Sequence, residues 1–151
     1  MKEISIVIPI LNESENIKLL VPEIYKNIKI LKIQKHEIIL IDDNSKDQIE
    51  TVVKNLKKKF KSLKLFIRRK KDKDLSKSCI LGFEKSKYKN ILVMDGDFQH
   101  HPKYLLNLIK NFNKFSSDIV VGARDLTSTK KTKLSIFRLG SSLIVTTFLN
   151  I

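Results

Sequence analysis

The chain of 151 residues contains one cysteine, no tryptophan, three tyrosines, three prolines and four glycines. The single cysteine, Cys79, excludes an internal disulfide and offers no set of thiol ligands for zinc. This cysteine usage fits a reducing, cytosolic setting. With only three tyrosines and no tryptophan, the aromatic surface on which unpaired bases could stack is thin, which argues against a protein that binds single-stranded nucleic acid.

Long hydrophobic runs and flexible linkers are missing as well. The opening residues MKEISIVIPI carry one lysine and no small-residue cleavage site, so they predict a first strand and not a signal peptide. The unbroken apolar part of the C-terminal tail, residues 134–151, is shorter than the roughly 20 residues that a membrane-spanning helix needs. We expect one domain over residues 1–133, and a core helix or an in-plane interfacial helix over residues 134–151.

Acidic residues are scarce beside basic ones. Sixteen Asp and Glu against 30 Lys and Arg give a formal net charge of +14 and a pI near 9.9. This excess predicts an anionic partner, which could be nucleic acid, anionic lipid headgroups or a phosphorylated small molecule. The lysine-rich stretch from Lys54 to Lys77 is interpreted mainly as solvated surface, with a phosphate-attracting or membrane-facing rim as the alternative.

Short β-branched runs alternate with longer stretches of helical period, which is typical of an α/β fold with a mostly parallel sheet between helices. Apolar stripes at steps of three and four residues predict the helices, and Asn12 with Glu15 predicts a capping box at the first of them. The runs are apolar almost throughout, as expected of strands buried on both faces. They span residues 3–10, 36–42, 63–68, 90–95 and 117–123.

Polar side chains collect directly after the predicted strands. In open parallel sheets ligands bind beyond the carboxyl ends of the strands, so these residues are the candidates for a site. The segments PILNE, DDNSKD, DGDFQHHP and GARD follow four of the five runs. Together they bring Asn12, Glu13, Asp42, Asp43, Asp95, Asp97, Gln99, His101 and Arg124 to one edge.

Two aspartates separated by one glycine are unexpected in so basic a chain, because neighbouring like charges repel. A Mg²⁺ or Mn²⁺ ion between Asp95 and Asp97 would relieve that repulsion, since hard divalent cations prefer oxygen ligands. Gly96, which has no side chain, would let a diphosphate approach the backbone closely. The pattern therefore indicates a metal-assisted diphosphate site.

Each candidate also has a structural alternative. Acids can form turns or ordinary loops, a glutamate can stabilise only a helix N-terminus, and an arginine can be a surface charge. These alternatives apply to Asp42 with Asp43, Asp95 with Asp97, Glu13, and Arg124. His100 and His101 are neighbours whose side chains point apart, so we expect one of them to shape the loop and not both to bind a metal.

Taken together, the segments resemble the family-2 glycosyltransferases of the GT-A fold, and most closely the dolichol- or polyprenyl-phosphate mannosyl- and glucosyltransferases. IVIPILNESENI is similar to the family's opening strand and nucleotide loop, and EIILIDDNSKD to its second acidic segment. DLSKSCILGFEKSK is similar to the helix before the metal motif, NILVMDGDFQHHPKYL to the Asp-x-Asp motif itself, and DIVVGARD to the segment with a phosphate-facing arginine.

The resemblance implies roles for individual residues. Asp95, Asp97 and Gln99 would hold Mg²⁺ or Mn²⁺, and Asp95, Asp97 and Arg124 would act in catalysis. Leu11 departs from the aromatic residue often found at its position. The substrate-binding set implied by the resemblance is Pro9, Leu11, Glu13, Ile41, Asp43, Asp95, Gly96, Asp97, Gln99 and Arg124.

The implied reaction transfers a hexose from a nucleotide-diphosphate sugar such as GDP-mannose or UDP-glucose to a polyprenyl or dolichyl phosphate, with inversion and without a dedicated base. The implied location is the cytoplasmic face of a membrane, with peripheral attachment. Relatives continue into a further acceptor-binding segment, so the fold is expected to be incomplete at the C-terminus. Two other hypotheses stay open: a nucleotide-sugar-binding scaffold that needs a second chain, and a receiver domain suggested by IILIDD.

Overall fold

The computed structural model describes residues 1–70, 72–99, 101–115 and 118–122. In chain order the elements are β1 (Glu3–Ile10), α1 (Ser14–Ile30), β2 (Lys35–Asp42), α2 (Ile49–Lys59), β3 (Leu63–Ile67), α3 (Leu75–Lys85), β4 (Ile91–Val93) and α4 (Tyr104–Phe115). The predicted alternation of strands and helices is confirmed for these elements. Arg124, His100, the apolar tail and the expected boundary after residue 133 lie outside the described residues.

The four strands form one parallel sheet in the order β3-β2-β1-β4. β1 and β2 are in register from the Glu3↔Lys35 pair to the Ile10↔Asp42 pair. Because every strand runs in the same direction, all loops that leave a strand emerge at one edge, here called the carboxyl edge. All connections that enter a strand lie at the opposite edge, here called the amino edge.

Helices cover both faces of the sheet, as predicted. On one face the even-numbered isoleucines of β1 pack in a core with α1, α2 and α4. On the other face Val7, Ile39 and Ile41 pack with Leu81 of α3. α3 lies so close to β1 that a Cβ at Gly82 would be 2.2 Å from Val7 Cγ1. None of the helices in the described part of the chain is long and apolar enough to cross a membrane.

The last strands differ from the prediction. β4 has three residues and not six, and Ile91 and Val93 are 41% and 44% exposed, so the prediction of burial on both faces is wrong for this strand. Residues 118–122 form no strand, although a fifth was predicted over 117–123, and Ile119 is 80% exposed. An apolar run adopts strand structure only where a neighbouring strand and a packed face are available.

Candidate active site at the carboxyl edge

Four loops meet at the carboxyl edge of the sheet. The register of β1 and β2 pairs Pro9 with Ile41, and both side chains are buried. The backbone N–H of Asp43 donates to the carbonyl oxygen of Ile10 at 2.9 Å, so the chain segments that leave β1 and β2 start side by side. The loops are loop 1 (residues 11–13), loop 2 (43–48), loop 3 (68–74) and loop 4 (94–103).

Loops 1 and 2 are joined through Asn12. Its backbone N–H donates to Ser45 Oγ at 2.7 Å, and its side-chain Oδ1 accepts from the Lys46 N–H at 2.9 Å. Asn12 has φ of 58°, a left-handed conformation that asparagine tolerates better than most residues. The two loops expected to enclose a nucleotide are therefore one hydrogen-bonded unit, and the neighbouring Leu11 side chain is 40% exposed beside them.

The predicted capping box of Asn12 and Glu15 is wrong. α1 begins after Glu13, which makes no side-chain capping bond, and the N–H of Ser14 donates instead to Asp47 Oδ2 at 2.7 Å. Asp47 belongs to loop 2, so the cap comes from the neighbouring loop and not from the local sequence. The Glu13 carboxylate accepts from Asn16 Nδ2 at 2.6 Å, and its contact with a ligand stays a prediction.

Asp42 adopts the turn role that was the structural alternative for it. The side chain is 1% exposed, and both carboxylate oxygens accept from the backbone N–H of Ser45 at 3.1 Å. The Ser45 hydroxyl donates to the same carboxylate. Asn44, inside this turn, has φ of 61°. Asp42, the last residue of β2, thus fixes the shape of loop 2.

Asp43 lies in a buried ion pair. Arg68 donates to Asp43 Oδ1, and the side chains of the pair are only 7% and 8% exposed. The other carboxylate oxygen, Oδ2, accepts from the Asp74 N–H at 2.7 Å. Arg68 also donates to Ser78 Oγ of α3 at 3.2 Å. Loops 2 and 3 and the start of α3 are therefore held together around one carboxylate.

Sequence reasoning missed Arg68, Lys73 and Asp74. They fall in the lysine-rich stretch that was interpreted as solvated surface, yet Arg68 is buried and Lys73 Nζ donates to the carbonyl oxygens of Asp43 and Asn44. The signal that could have identified Arg68 is its position as the last residue of the third run, at the carboxyl end of a strand.

Loop 4 is packed directly on β1 through Gly96. A Cβ at Gly96 would lie 2.8 Å from Ile10 Cγ2, so the position has no room for a side chain unless Ile10 moves. Gly96 is buried, and Asp95 and Asp97 on either side of it are half-buried. The contact sets the Asp-Gly-Asp segment against the residue that precedes loop 1. This packing explains why glycine occupies position 96, and the sequence alone did not reveal it.

Contacts within loop 4 fix its acidic segment. Asp97 Oδ1 accepts from the backbone N–H of Gln99 at 2.9 Å, and Phe98 between them has φ of 60°. His101 Nδ1 accepts from the Lys103 N–H at 3.2 Å, and its ring lies edge-on to that of Phe98. His101 therefore shapes the loop, as expected.

Asp95 lies close enough to α3 to act on the thiol of Cys79. Burial raises the pKa of Cys79, and the Asp95 carboxylate raises it further. Cys79 is half-buried and is a protonated packing residue at neutral pH. In the described ranges no three His, Cys, Asp or Glu side chains are grouped as a metal site, so the set of Asp95, Asp97 and Gln99 stays a prediction.

Comparison with known proteins identifies the family. Residues 5–143 match the family described as glycosyl transferase family 2. The chain is 36% identical over 122 residues to a dolichol-phosphate mannosyltransferase of Pyrococcus furiosus, a match that covers 81% of this chain and 33% of that protein. It is 28% identical over 111 residues to the dolichol-phosphate mannosyltransferase of Saccharomyces cerevisiae, covering 74% of this chain and 41% of that protein.

Solved structures share the fold. TarS of S. aureus superposes with a TM-score of 0.65 at 18% identity, over 90% of this chain and 40% of TarS. The mannosyltransferase PcManGT of Pyrobaculum calidifontis, solved with GDP-Man and Mn²⁺, gives a TM-score of 0.56 at 16% identity, over 72% of this chain and 32% of PcManGT. The predicted GT-A architecture is confirmed. With its parallel sheet and its match over residues 5–143, the chain belongs to glycosyltransferase family 2.

Proposed function

We propose that this chain carries the donor-binding part of a transferase that moves mannose or glucose from a nucleoside diphosphate sugar to a polyprenyl or dolichyl phosphate, with inversion. One observation carries the proposal: Gly96 packs on Ile10 and so holds the Asp95 and Asp97 pair against the start of loop 1. The likeness to dolichol-phosphate mannosyltransferases supports the choice of acceptor.

The donor would lie across loops 1, 2 and 4. Its nucleoside would contact loops 1 and 2, and its diphosphate would face loop 4. In this assignment Asp43 also shapes the pocket, because its carboxylate accepts hydrogen bonds from Arg68 and from the Asp74 N–H. The nucleoside set is Pro9, Leu11, Glu13, Ile41 and Asp43, the diphosphate set is Asp95, Gly96, Asp97 and Gln99, and Arg124 would join the latter from outside the described residues.

Mg²⁺ or Mn²⁺ would be held by Asp95, Asp97 and Gln99. The donor set fits, because Mg²⁺ commonly takes one or two protein carboxylates and completes its shell with water and substrate phosphates. Such an ion, when bound, offsets the negative charge that grows on the leaving nucleoside diphosphate. PcManGT, which has the same fold, was solved with Mn²⁺ and a nucleotide sugar.

The acceptor phosphate is already an anion, so its oxygen can attack the anomeric carbon without a protein base. The bond from that carbon to the nucleoside diphosphate breaks as the new bond forms on the opposite side. The residues of this chain would therefore bind and orient the donor and keep its phosphates in place.

A second candidate is a donor-binding subunit without turnover that completes its site with another chain. The chain spans between a third and about two-fifths of the length of the dolichol-phosphate mannosyltransferases that it matches. Donor binding is common to both candidates, and hexose transfer to a lipid phosphate distinguishes them.

Calorimetry with GDP-mannose and with UDP-glucose tests the proposal. We expect Mn²⁺ or Mg²⁺ to strengthen binding of one donor at least tenfold, about 1.4 kcal/mol, and Asp97→Ala to abolish the enhancement. Asp118→Ala, which removes an exposed acid beyond the end of α4, is the matched control. Equal affinity with chelator and with metal would refute the metal site.

The proposed location is peripheral, at the cytoplasmic face of a membrane. A lipid phosphate must reach the carboxyl edge, so this edge would face the bilayer, with exposed basic residues such as Arg69, Lys70 and Lys103 near the anionic headgroups. Flotation with vesicles measures the attachment. We expect anionic vesicles to recover the protein in a salt-sensitive manner. Equal recovery of the protein with neutral vesicles would show that electrostatic attraction does not contribute to the attachment.

A further inference from the structure

The lysine-rich stretch is continuous in sequence but lies on two opposite edges of the sheet. Lys57 to Lys61 end α2 and enter β3 at the amino edge, whereas Lys70 to Lys77 follow β3 at the carboxyl edge. Other lysines at the amino edge join the first group. The whole set, here called the basic edge, is Lys2, Lys29, Lys32, Lys35, Lys57, Lys58, Lys59, Lys61, Lys85, Lys87, Lys89 and Lys114.

Hydrogen bonds between the connections hold the basic edge together. The Lys35 N–H donates to the Lys2 carbonyl at 3.2 Å, and the Ser5 N–H donates to the Asn90 carbonyl at 2.9 Å. The N-terminal ammonium donates to Asn113 Oδ1 of α4 at 2.8 Å. Segments far apart in the sequence therefore present their lysines on one side of the domain.

Acids are missing from the connections that carry most of the basic edge. The three connections at residues 29–35, 57–62 and 85–90 contain no Asp or Glu. Within the described residues, the ion pairs of lysines involve Lys18, Lys26, Lys64 and Lys77, none of which belongs to the basic edge. The carboxyl edge, by contrast, carries the acids of loops 1 to 4. The four loops of the carboxyl edge contain seven acids and seven Lys or Arg residues, so the excess positive charge is concentrated at the basic edge.

Helix dipoles account for only part of this arrangement. Lysines in the last turn of a helix stabilise its negative end, and α1, α2, α3 and α4 each have at least one. Lys35, Lys61, Lys87 and Lys89 lie beyond the helix ends, where that effect has faded. Glu3 lies beside Lys35 in the strand register, but none of these four lysines forms an ion pair within the described residues. An anionic partner would offset their mutual repulsion.

The chemistry of the basic edge favours an acidic polypeptide over nucleic acid. The surface contains lysine and no arginine, so it lacks the planar groups that bind phosphates in pairs and stack on bases. Phe60, Tyr88 and Phe115 each lie under the ammonium group of the preceding lysine, which occupies the ring face that a base would need.

A membrane is disfavoured for a different reason, which rests on the proposed function: a lipid acceptor requires the carboxyl edge to face the bilayer, and the basic edge then faces away from it. We propose that the basic edge is a docking surface for an acidic segment of a soluble partner protein. The partner would bind while the carboxyl edge remains open to donor and acceptor.

The experiment measures binding of poly-L-glutamate to the whole chain by calorimetry. The test variant combines Lys35→Gln, Lys58→Gln and Lys89→Gln, one exposed lysine from each connection. The control combines Lys18→Gln, Lys54→Gln and Lys110→Gln, which changes the net charge equally and lies outside the basic edge. We expect the test variant to lose about tenfold in affinity, roughly the sum of three exposed ion pairs, and the control to lose less than about threefold.

Further measurements distinguish an acidic polypeptide from other anionic partners, and separate the docking surface from the proposed function. Binding should disappear at about 1 M NaCl, where the Debye length is about 3 Å. Equal losses in the two variants would overturn the proposal. It would also be overturned if poly(U) RNA or phosphatidylserine vesicles bound more tightly than poly-L-glutamate and lost that binding in the test variant. Metal-enhanced donor binding is measured in the same variants and should be unchanged. Its absence from the wild-type chain would count against the proposed function, whereas a lysine-specific effect on poly-L-glutamate would still support the docking surface.

Discussion

Asp43 and Arg68, 25 positions apart in sequence, form a buried ion pair at the end of β2. The pair links the loop expected to contact the nucleoside to the loop before α3. A buried pair of this kind is costly to break on one side, because the remaining charge is left without its partner. Its integrity therefore bears on both stability and donor binding.

Arg68→Met should lower the free energy of unfolding by about 3–5 kcal/mol, as expected when a buried carboxylate loses its partner. The double variant Asp43→Asn with Arg68→Met should be less destabilised than Arg68→Met alone, since no buried charge is then left unpaired. Urea unfolding measures both. Arg69→Met, at the exposed neighbouring position, is the control, and an equal effect of the two arginine substitutions would contradict the role of the pair.

Asp47→Ala should destabilise the chain by about 1 kcal/mol, the usual cost of removing a helix cap. The reason is that the Ser14 N–H at the start of α1 has Asp47 as its acceptor. Glu15→Ala should change the free energy of unfolding by less than about 0.5 kcal/mol, because the contact of Glu15 among the described residues is an exposed pair with Lys18. Urea unfolding measures both variants. A larger loss of stability in Glu15→Ala than in Asp47→Ala would support the capping box that the sequence suggested.

Gly96→Ala should displace loop 4, because the added methyl group would lie 2.8 Å from Ile10 Cγ2. Overpacking of this kind costs about 1–3 kcal/mol. We also expect the metal-dependent enhancement of donor binding to fall. Adding Ile10→Ala removes the clashing atom and should restore part of the enhancement, although it weakens the core. Calorimetry on the single and double variants makes the comparison, and wild-type enhancement in Gly96→Ala would exclude this packing role.

Glu37 should make the stability of the chain depend on acid pH. Burial acts to raise the pKa of Glu37, but hydrogen bonds from Lys64, Ser5 and the Lys87 N–H outweigh it, so the pKa of the folded state is below the ordinary 4.5. The unfolded chain therefore binds the proton first as the pH falls. The stabilisation is present above pH 4.5 and is lost as the pH falls through the folded-state pKa.

Urea unfolding between about pH 6 and about pH 3 measures this loss. Glu37→Gln should be less stable than the wild type at the upper pH and should show a shallower decline towards acid. Glu84→Gln, at an exposed position, is the control and should follow the wild-type curve. Identical slopes for the wild type and Glu37→Gln would show that the network around Glu37 does not contribute to the pH dependence.

The sequence by itself determined the succession of strands and helices along the chain and the sheet edge at which polar residues collect. Both depend on local patterns: the apolar run of β1 or β2 and the polar residues that follow it lie within a few positions of one another. The same local pattern was insufficient for residues 118–122, which have strand composition but no strand in the structure.

Only the tertiary structure decided which groups meet at the site and how charge is distributed. The cap of α1 comes from Asp47, 33 positions after Ser14, and glycine is required at position 96 in loop 4 by Ile10 of β1. Lys58 and Lys73 belong to one basic stretch of sequence but lie at opposite edges of the sheet. Such contacts depend on how parallel strands align after folding, and no periodicity within a short segment encodes that alignment.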